Sequence, residues 1–350
     1  MISFYPGPSQ LYPQIREFMN AAVDTGILSV NHRSDAFVQM AEATMNSLRK
    51  KLLIPDDYQI YFASSATECW EIIAQSLILS TGSIHLYNGA FGQKWYEYTG
   101  KLGGTCTAQV FDPEEEPPLP QNTDGKLLCI THNETSNATQ LSSGYMKQLR
   151  ILCPDSLIAV DATSSMAGAR LDFRQADIWF ASVQKCFGLP AGLAVMICSP
   201  QAVAKSKAIG ESRHYNSLTF MDSMMQKKQT TCTPNVLAIF LLGKIMDMVP
   251  VIDETAKLLR IRKNKLLDFF NNQTEFKSLI ANKNVQSDTV LCLSAEKKQL
   301  RQVKERALAE GMVLGNGYGP WADNSFRIAN FPALEDEAYE RLIQFIKDFS

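Results

Sequence analysis

The chain has 350 residues, enough to bury a large core and a second lobe. Its net charge of -2 gives no overall pull toward nucleic acid or an anionic membrane surface. The longest apolar run, "VLAIFLLG", is too short to span a bilayer, and the opening "MISFYPGPSQLYP" lacks the basic-then-apolar order of a signal peptide. The eight cysteines contain no CxxC pair, and Cys129, Cys153, Cys186, Cys198 and Cys292 lie in or beside apolar stretches. They read as free buried thiols of a cytoplasmic protein, ahead of disulfides or zinc ligands, and no metal site is expected.

In chain order, the first strong pattern is "SDAFVQMAEATMNSLRKKLL", where Phe37, Met40, Ala41, Met45, Leu48 and Leu52 fall on one helical face. A strand-length apolar run follows at 59–63, and "ATECWEIIAQSLIL" repeats the helical spacing after it. Further strand-length runs stand at 83–87, 108–111, 126–131, 156–161, 177–182 and 193–198. Strands alternating with helices predict βα units and a mostly parallel sheet covered on both faces. The stretch 113–125, "PEEEPPLPQNTDG", reads as a surface loop. After about residue 234 the texture changes to a long helical region (234–272), "DTVLCL", a charged helix (295–310), "SFRIAN" and a final helix (335–349). That pattern predicts a smaller α/β lobe.

Ligands of open α/β sheets sit beyond the carboxyl ends of the strands, so the residues just after each strand are the ones to read. Ser64, Ser65, Ala66 and Thr67 open a helix, and Ser65 with Glu68 has the spacing of a capping box. The same small, hydroxylated residues suit a phosphate at a helix N-terminus. In "YNGAFG", Phe91 between Gly89 and Gly92 is either a buried turn aromatic or a plate for a flat ring. Asn133, Glu134 and Thr135 follow the next strand as polar loop residues. Asp161 at a strand end is either a turn former or a partner for a cationic ring nitrogen. Lys185 lies between two apolar runs on a loop with Gly188, Pro190 and Gly192. Desolvation lowers the pKa of a lysine and makes it a nucleophile. Each residue alone has an ordinary structural explanation. Together they supply the parts that pyridoxal 5'-phosphate requires: a phosphate cradle, an aromatic plate, a carboxylate for the ring nitrogen and a lysine for the aldehyde.

The motifs "FYPGPSQL", "LSVNHRSDAF", "FASSATE", "NGAFG", "HNETSN", "VDATSS", "ASVQKCFGLPAGLAV", "TCTPN" and "FRIANF" span almost the whole chain. In these the sequence resembles the class V, fold-type I pyridoxal-phosphate aminotransferases, and within them the phosphoserine aminotransferase branch. The resemblance implies a large, mostly parallel seven-stranded sheet domain at 14–245. It implies a smaller α/β domain formed by 246–350 with 1–13. It also implies that Lys185 binds the aldehyde and moves the substrate proton, Asp161 pairs with the ring nitrogen, and Phe91 stacks on the ring. Ser65, Ala66, Thr67 and Gln184 are then phosphate contacts. Thr135 and Thr163 are neighbours of the ring oxygen. Thr233 reaches the cofactor phosphate of a second subunit, so the active unit is a homodimer. Arg327 takes the substrate α-carboxylate, and His32 and Arg33 lie at the distal end of the substrate.

Two departures stand out. Cys232 occupies a position where the family often has asparagine. Tyr318 and Gly319 stand where the phosphoserine branch carries a second basic pair, and that texture is nearer the glyoxylate-using relatives. The expected reaction is transfer of an amino group between phosphoserine and 2-oxoglutarate. Serine– or alanine–glyoxylate transamination is the alternative, and a catalytically silent α/β binding protein is the reading from another class.

Overall fold

The structure is a computed structural model that describes residues 1–121, 123 and 125–349. The seven apolar runs form one sheet. Its order is Gln59–Ala63, Ala194–Cys198, Ile178–Ser182, Ile158–Asp161, Leu127–Thr131, Ser83–Tyr87, Cys106–Val110. Ala194–Cys198 is antiparallel to both neighbours, and the remaining pairings are parallel. Helices cover both faces, so a central strand such as Ile178–Ser182 is buried along its whole length. The edge strand starts two residues earlier than its apolar run and leaves Phe111 outside.

The amphipathic stretch after Ser34 is the helix Asp35–Leu52, and Phe37, Ala41, Met45, Leu48 and Leu52 are buried on it. Ser34 caps it by accepting from Phe37 N, and Leu53 ends it in a left-handed conformation at φ 60°. It packs against the helix Val236–Met248. The segment after Ser65 is α-helical over Ala66–Ile73, continues as a π-helical stretch over Ala74–Ile78, and closes at Leu79–Thr81. The long helical region is two helices, Val236–Met248 and Ile252–Gln273. Pro250 separates them, because proline has no N–H to donate and forces Val249 before it into an extended conformation at ψ 152°.

A second sheet runs in the order Ile2–Phe4, Met312–Asn316, Ser325–Ala329, Val290–Ser294, Lys277–Ser278. Its core includes Phe4, Phe270, Phe326, Ile328 and Leu342. The strands Ile2–Phe4 and Met312–Asn316 were not among the expected elements. Both are short, and they pair in parallel across the full length of the chain. The loop 113–125 is tied down by Glu114, whose carboxylate accepts from Ala281 N at 2.8 Å and Asn282 N at 2.7 Å. Two residues of that loop, Asn122 and Asp124, lie outside the described residues. Among the described residues no helix is long and apolar enough to cross a membrane.

The strands that end at Thr131, Asp161 and Ser182 are parallel neighbours, so their carboxyl ends open on one side. The opposite ends of the strands that finish at Asp161 and Ser182 are pinned by a buried carboxylate. Asp177 accepts from Arg150 at 2.6 Å, from Ile158 N at 2.9 Å and from Ser199 Oγ at 2.9 Å. Asp177→Ala takes the carboxylate from a half-buried guanidinium, which keeps only carbonyl acceptors at 3.2–3.5 Å, and leaves a strand N–H without a partner. Urea unfolding should then show a loss of about 3 kcal/mol. A loss below about 1 kcal/mol would show that the clamp adds nothing to the sheet.

Candidate active site

A cavity of about 400 Å³ opens where those strand ends meet, with Thr131, Asp161, Thr163, Ser182, Gln184 and Lys185 on its wall. The strand Ile178–Ser182 is buried, and the chain leaves it through Val183, Gln184 and Lys185 before turning at Gly188, φ +62°. A Cβ at Gly188 would lie 2.6 Å from the Tyr12 ring, so glycine suits both the turn and the packing. The N-terminal segment seals this loop. Ser9 N donates to Gln184 O at 3.0 Å, and Tyr12 N donates to Gly188 O at 3.3 Å. Gly7 lies flat on the lysine stem, where a Cβ would meet Lys185 Cε at 2.8 Å.

Lys185 is therefore buried, at 7% exposure. Its Nζ donates to Thr135 Oγ1 and to Ser164 Oγ, each at 2.9 Å, and stands 5.1 Å over the Phe91 ring. Burial pushes its pKa down to about 8, although Asp161 and Glu134 pull it up. Asp161 is held above the usual carboxylate range, chiefly by burial. Its Oδ1 accepts from Thr163 N at 2.9 Å and its Oδ2 from Trp70 Nε1 at 3.2 Å.

Phe91 sits in the first turn of the helix Ala90–Lys101. Buried Glu134 holds that turn in place by accepting from Phe91 N and Gly92 N, each at 3.1 Å. Its other oxygen accepts from Ser136 N and Ser136 Oγ. Gly89 lets the two approach, since a Cβ there would lie 2.4 Å from Glu134 Cγ.

The helix Ala66–Ile73 points its N-terminus at the cavity. Ser65 caps it by accepting from Glu68 N at 3.0 Å, and Ala66 N donates to Ser182 Oγ at 2.7 Å. The reciprocal half of a capping box is displaced by one residue. The Glu68 carboxylate accepts from Ser64 N and Ser64 Oγ rather than from the backbone of Ser65. Ala66 and Thr67 line the cavity.

Arg327 reaches the same cavity from the second sheet. It is 3% exposed, donates to Asn316 O at 2.7 Å and Thr135 O at 2.8 Å, and has no carboxylate within 4.0 Å among the described residues. Burial lowers its pKa.

Ser65, whose Oγ caps the helix, is not on the cavity wall, and three further expected residues lie elsewhere. His32, Arg33 and Thr233 do not line the cavity of their own chain. Arg33 donates to Gln229 at 3.0 Å, and His32 Nδ1 lies 3.4 Å from Thr233 Oγ1. The reason is topological. Both segments lie on connections that flank helices at the edge of the large core, not at the strand ends. The cavity residues not singled out in the sequence include Trp70, Lys94, Tyr98 and Thr131. Lys94 carried one legible signal, since it follows Phe91 by three positions on the same helix.

The chain matches the family model described as aminotransferase class V over residues 5–313. It is 26% identical to the phosphoserine aminotransferase of Corynebacterium glutamicum (strain R), across 98% of this chain and 93% of that one. The solved structure of a phosphoserine aminotransferase from Cytophaga hutchinsonii superposes with a TM-score of 0.93 at 32% identity, covering 99% of this chain and 98% of the other. An alanine–glyoxylate aminotransferase from Nostoc sp. shares the fold at a TM-score of 0.84 and 17% identity, covering 99% and 94%. With a lysine and an aspartate facing one cavity of this fold, and a family match across most of its length, the chain belongs to the class V aminotransferases, enzymes that depend on pyridoxal phosphate.

Proposed function

We propose that this enzyme transfers the amino group of an acidic α-amino acid, with phosphoserine as donor or product and 2-oxoglutarate as the partner oxo acid. The observation that carries an α-amino acid as the substrate is Arg327. A guanidinium that is buried without a carboxylate partner is costly, and an incoming α-carboxylate would match its fork and relieve that cost. The relatives named phosphoserine aminotransferase support the donor.

The residues present fit pyridoxal 5'-phosphate. Thr131 Oγ1 is buried on the cavity wall without a partner among the described residues, as a group awaiting a polar ligand would be. Bound there, the cofactor supplies an electron sink for the pair left at the substrate α-carbon. Lys185 would hold the aldehyde end of the cofactor, and its amine would be the group that moves the proton at the substrate α-carbon. Asp161 holds a proton at the ring nitrogen. Phe91 and Thr163 orient the ring, Ser65, Ala66, Thr67 and Gln184 take the phosphate, and Thr135 positions the Lys185 amine. We assign residues 14–245 to the cofactor-holding domain and 246–350 with 1–13 to the smaller one. The two separate apolar cores support two domains, although Met246 and Ile252 pack into the first core and Ala138 and Cys186 into the second. The eight unpaired thiols support a reducing, cytoplasmic setting.

His32, Arg33 and Thr233 are one exposed-side group in a single chain, so in this reading they serve the site of a second copy in a homodimer. One observation favours the glyoxylate alternative. Tyr318 lies on the cavity wall stacked on Phe91, at 5.1 Å and 19°, where a basic residue was expected. A half-reaction screen decides: the loss of the cofactor's absorbance band with phosphoserine, glutamate, serine or alanine alone. The proposed donor predicts the fastest response with phosphoserine, and a response to alanine and serine alone overturns it.

Lys185→Ala should retain pyridoxal phosphate by its polar contacts yet give no borohydride-reducible link. In the parent, only the free amine captures an aldehyde. With its pKa held down to about 8, the capture rate should climb through pH 8 and then level off. A rate still climbing near pH 10, the range of an exposed lysine, would mark a different amine.

Asp161→Asn should leave the fold intact and lower turnover by roughly a hundredfold or more, through loss of the charge-assisted bond to the ring nitrogen. A rate within about threefold of the parent would reduce Asp161 to a turn residue.

Arg33→Ala should lower kcat/KM for phosphoserine far more than for alanine. Mixing Arg33→Ala chains with Lys185→Ala chains should restore phosphoserine use, because each mixed dimer then holds one complete site. No recovery would place Arg33 outside any shared site.

A further inference from the structure

Lys94 is a cation that neither the family match nor the proposed chemistry above uses. It is half-buried on the helix Ala90–Lys101, one turn beyond Phe91, and it lines the cavity together with Arg327. Its Nζ donates to Tyr318 Oη at 2.5 Å, which puts it at the hydroxyl edge of that ring, 5.0 Å from the ring centre, and it stands 5.6 Å from the centre of the Phe91 ring. No carboxylate lies within 4.0 Å of it among the described residues. The guanidinium of Arg327 lies 5.4 Å over the same Tyr318 ring. One aromatic ring thus separates two cations on one cavity wall.

We propose that Lys94 and Tyr318 form this chain's own part of the receptor for the second oxyanion of the substrate, the one opposite the α-carboxylate, beside the Arg33 that a second copy supplies, and so select α-amino acids with an acidic side chain. This rests on the reading of Arg327 as the partner of the α-carboxylate. An ammonium has three donors, and Tyr318 occupies one of them. The Tyr318 hydroxyl accepts from Lys94, so its own proton is free to donate to a second oxygen of the same anion. An uncharged ring and hydroxyl do not neutralise the ammonium, and the pair keeps its affinity for phosphate or carboxylate. The tyrosine that interrupts the expected basic pair is then part of a replacement for it. The cation arrives from the helix that carries the ring plate instead of from the segment before Arg327.

The test uses the cofactor-loaded enzyme and three amino donors: phosphoserine, glutamate and alanine. Lys94→Met should lower kcat/KM for phosphoserine and for glutamate by roughly thirtyfold or more relative to alanine. Lys94→Arg, which keeps the charge, should restore most of that ratio. Tyr318→Phe should cost the two acidic donors roughly tenfold relative to alanine. An equal loss with all three donors, or no loss with any, overturns the proposal. A parent that ignores phosphoserine but accepts glutamate would refute phosphoserine as the substrate, and the glutamate-to-alanine ratio would still decide the role of Lys94.

Discussion

Everything at the centre of this molecule depends on holding an amine out of water. Lys185 sits among Thr135, Ser164 and the Phe91 ring, with Gly7 pressed on its stem. Asp161 and Glu134 are buried beside it, and their attraction favours the ammonium. Desolvation outweighs that attraction. Lysine is pushed down and both carboxyls are pushed up, so all three lean toward their neutral forms. A lysine whose pKa is brought down to about 8 keeps a share of free, nucleophilic amine near physiological pH, and the environment that provides it is the sheet core.

The apolar content of the strands could be read from the sequence because parallel strands buried on both faces are continuous apolar runs, as in "IWFAS". From the strands came the site, since the polar residue after each run is delivered to one sheet edge. Asp161 and Lys185 were legible for that reason. Phe91 was legible from the paired glycines, one of which admits the Glu134 carboxylate. The break at Pro250 was written in the chain, although the apolar periodicity on either side hid it.

What could not be read depends on contacts between distant segments. The strand Ile2–Phe4 is three residues long and acquires its identity only by pairing with Met312–Leu314. Ser164 looks like any turn serine until Lys185 is brought to 2.9 Å from it. Lys94 looks like a solvated lysine until the second sheet brings Tyr318 against it. His32 and Arg33 show the converse. Their motif is local and clear, but a motif names a residue without saying which chain's cavity it faces. Their position away from their own cavity follows from topology, which no local pattern contains.

The charges around the cavity account for its selectivity in the proposed reading. Asp161 is bonded by Thr163 and Trp70, and Glu134 by backbone groups of Phe91, Gly92 and Ser136. Both carboxylates are thus satisfied without an ion pair. Arg327 and Lys94 bond only to neutral oxygens, have no carboxylate within 4.0 Å among the described residues, and remain as net positive charge on the wall. A small neutral amino acid would pair one of these cations and leave the other facing an apolar side chain, which buries charge without return. A substrate with two oxyanions pairs both, and the intervening Tyr318 ring sets how far apart those oxyanions must be. Specificity here comes less from what the cavity attracts than from the cation it leaves unpaired when the wrong substrate binds.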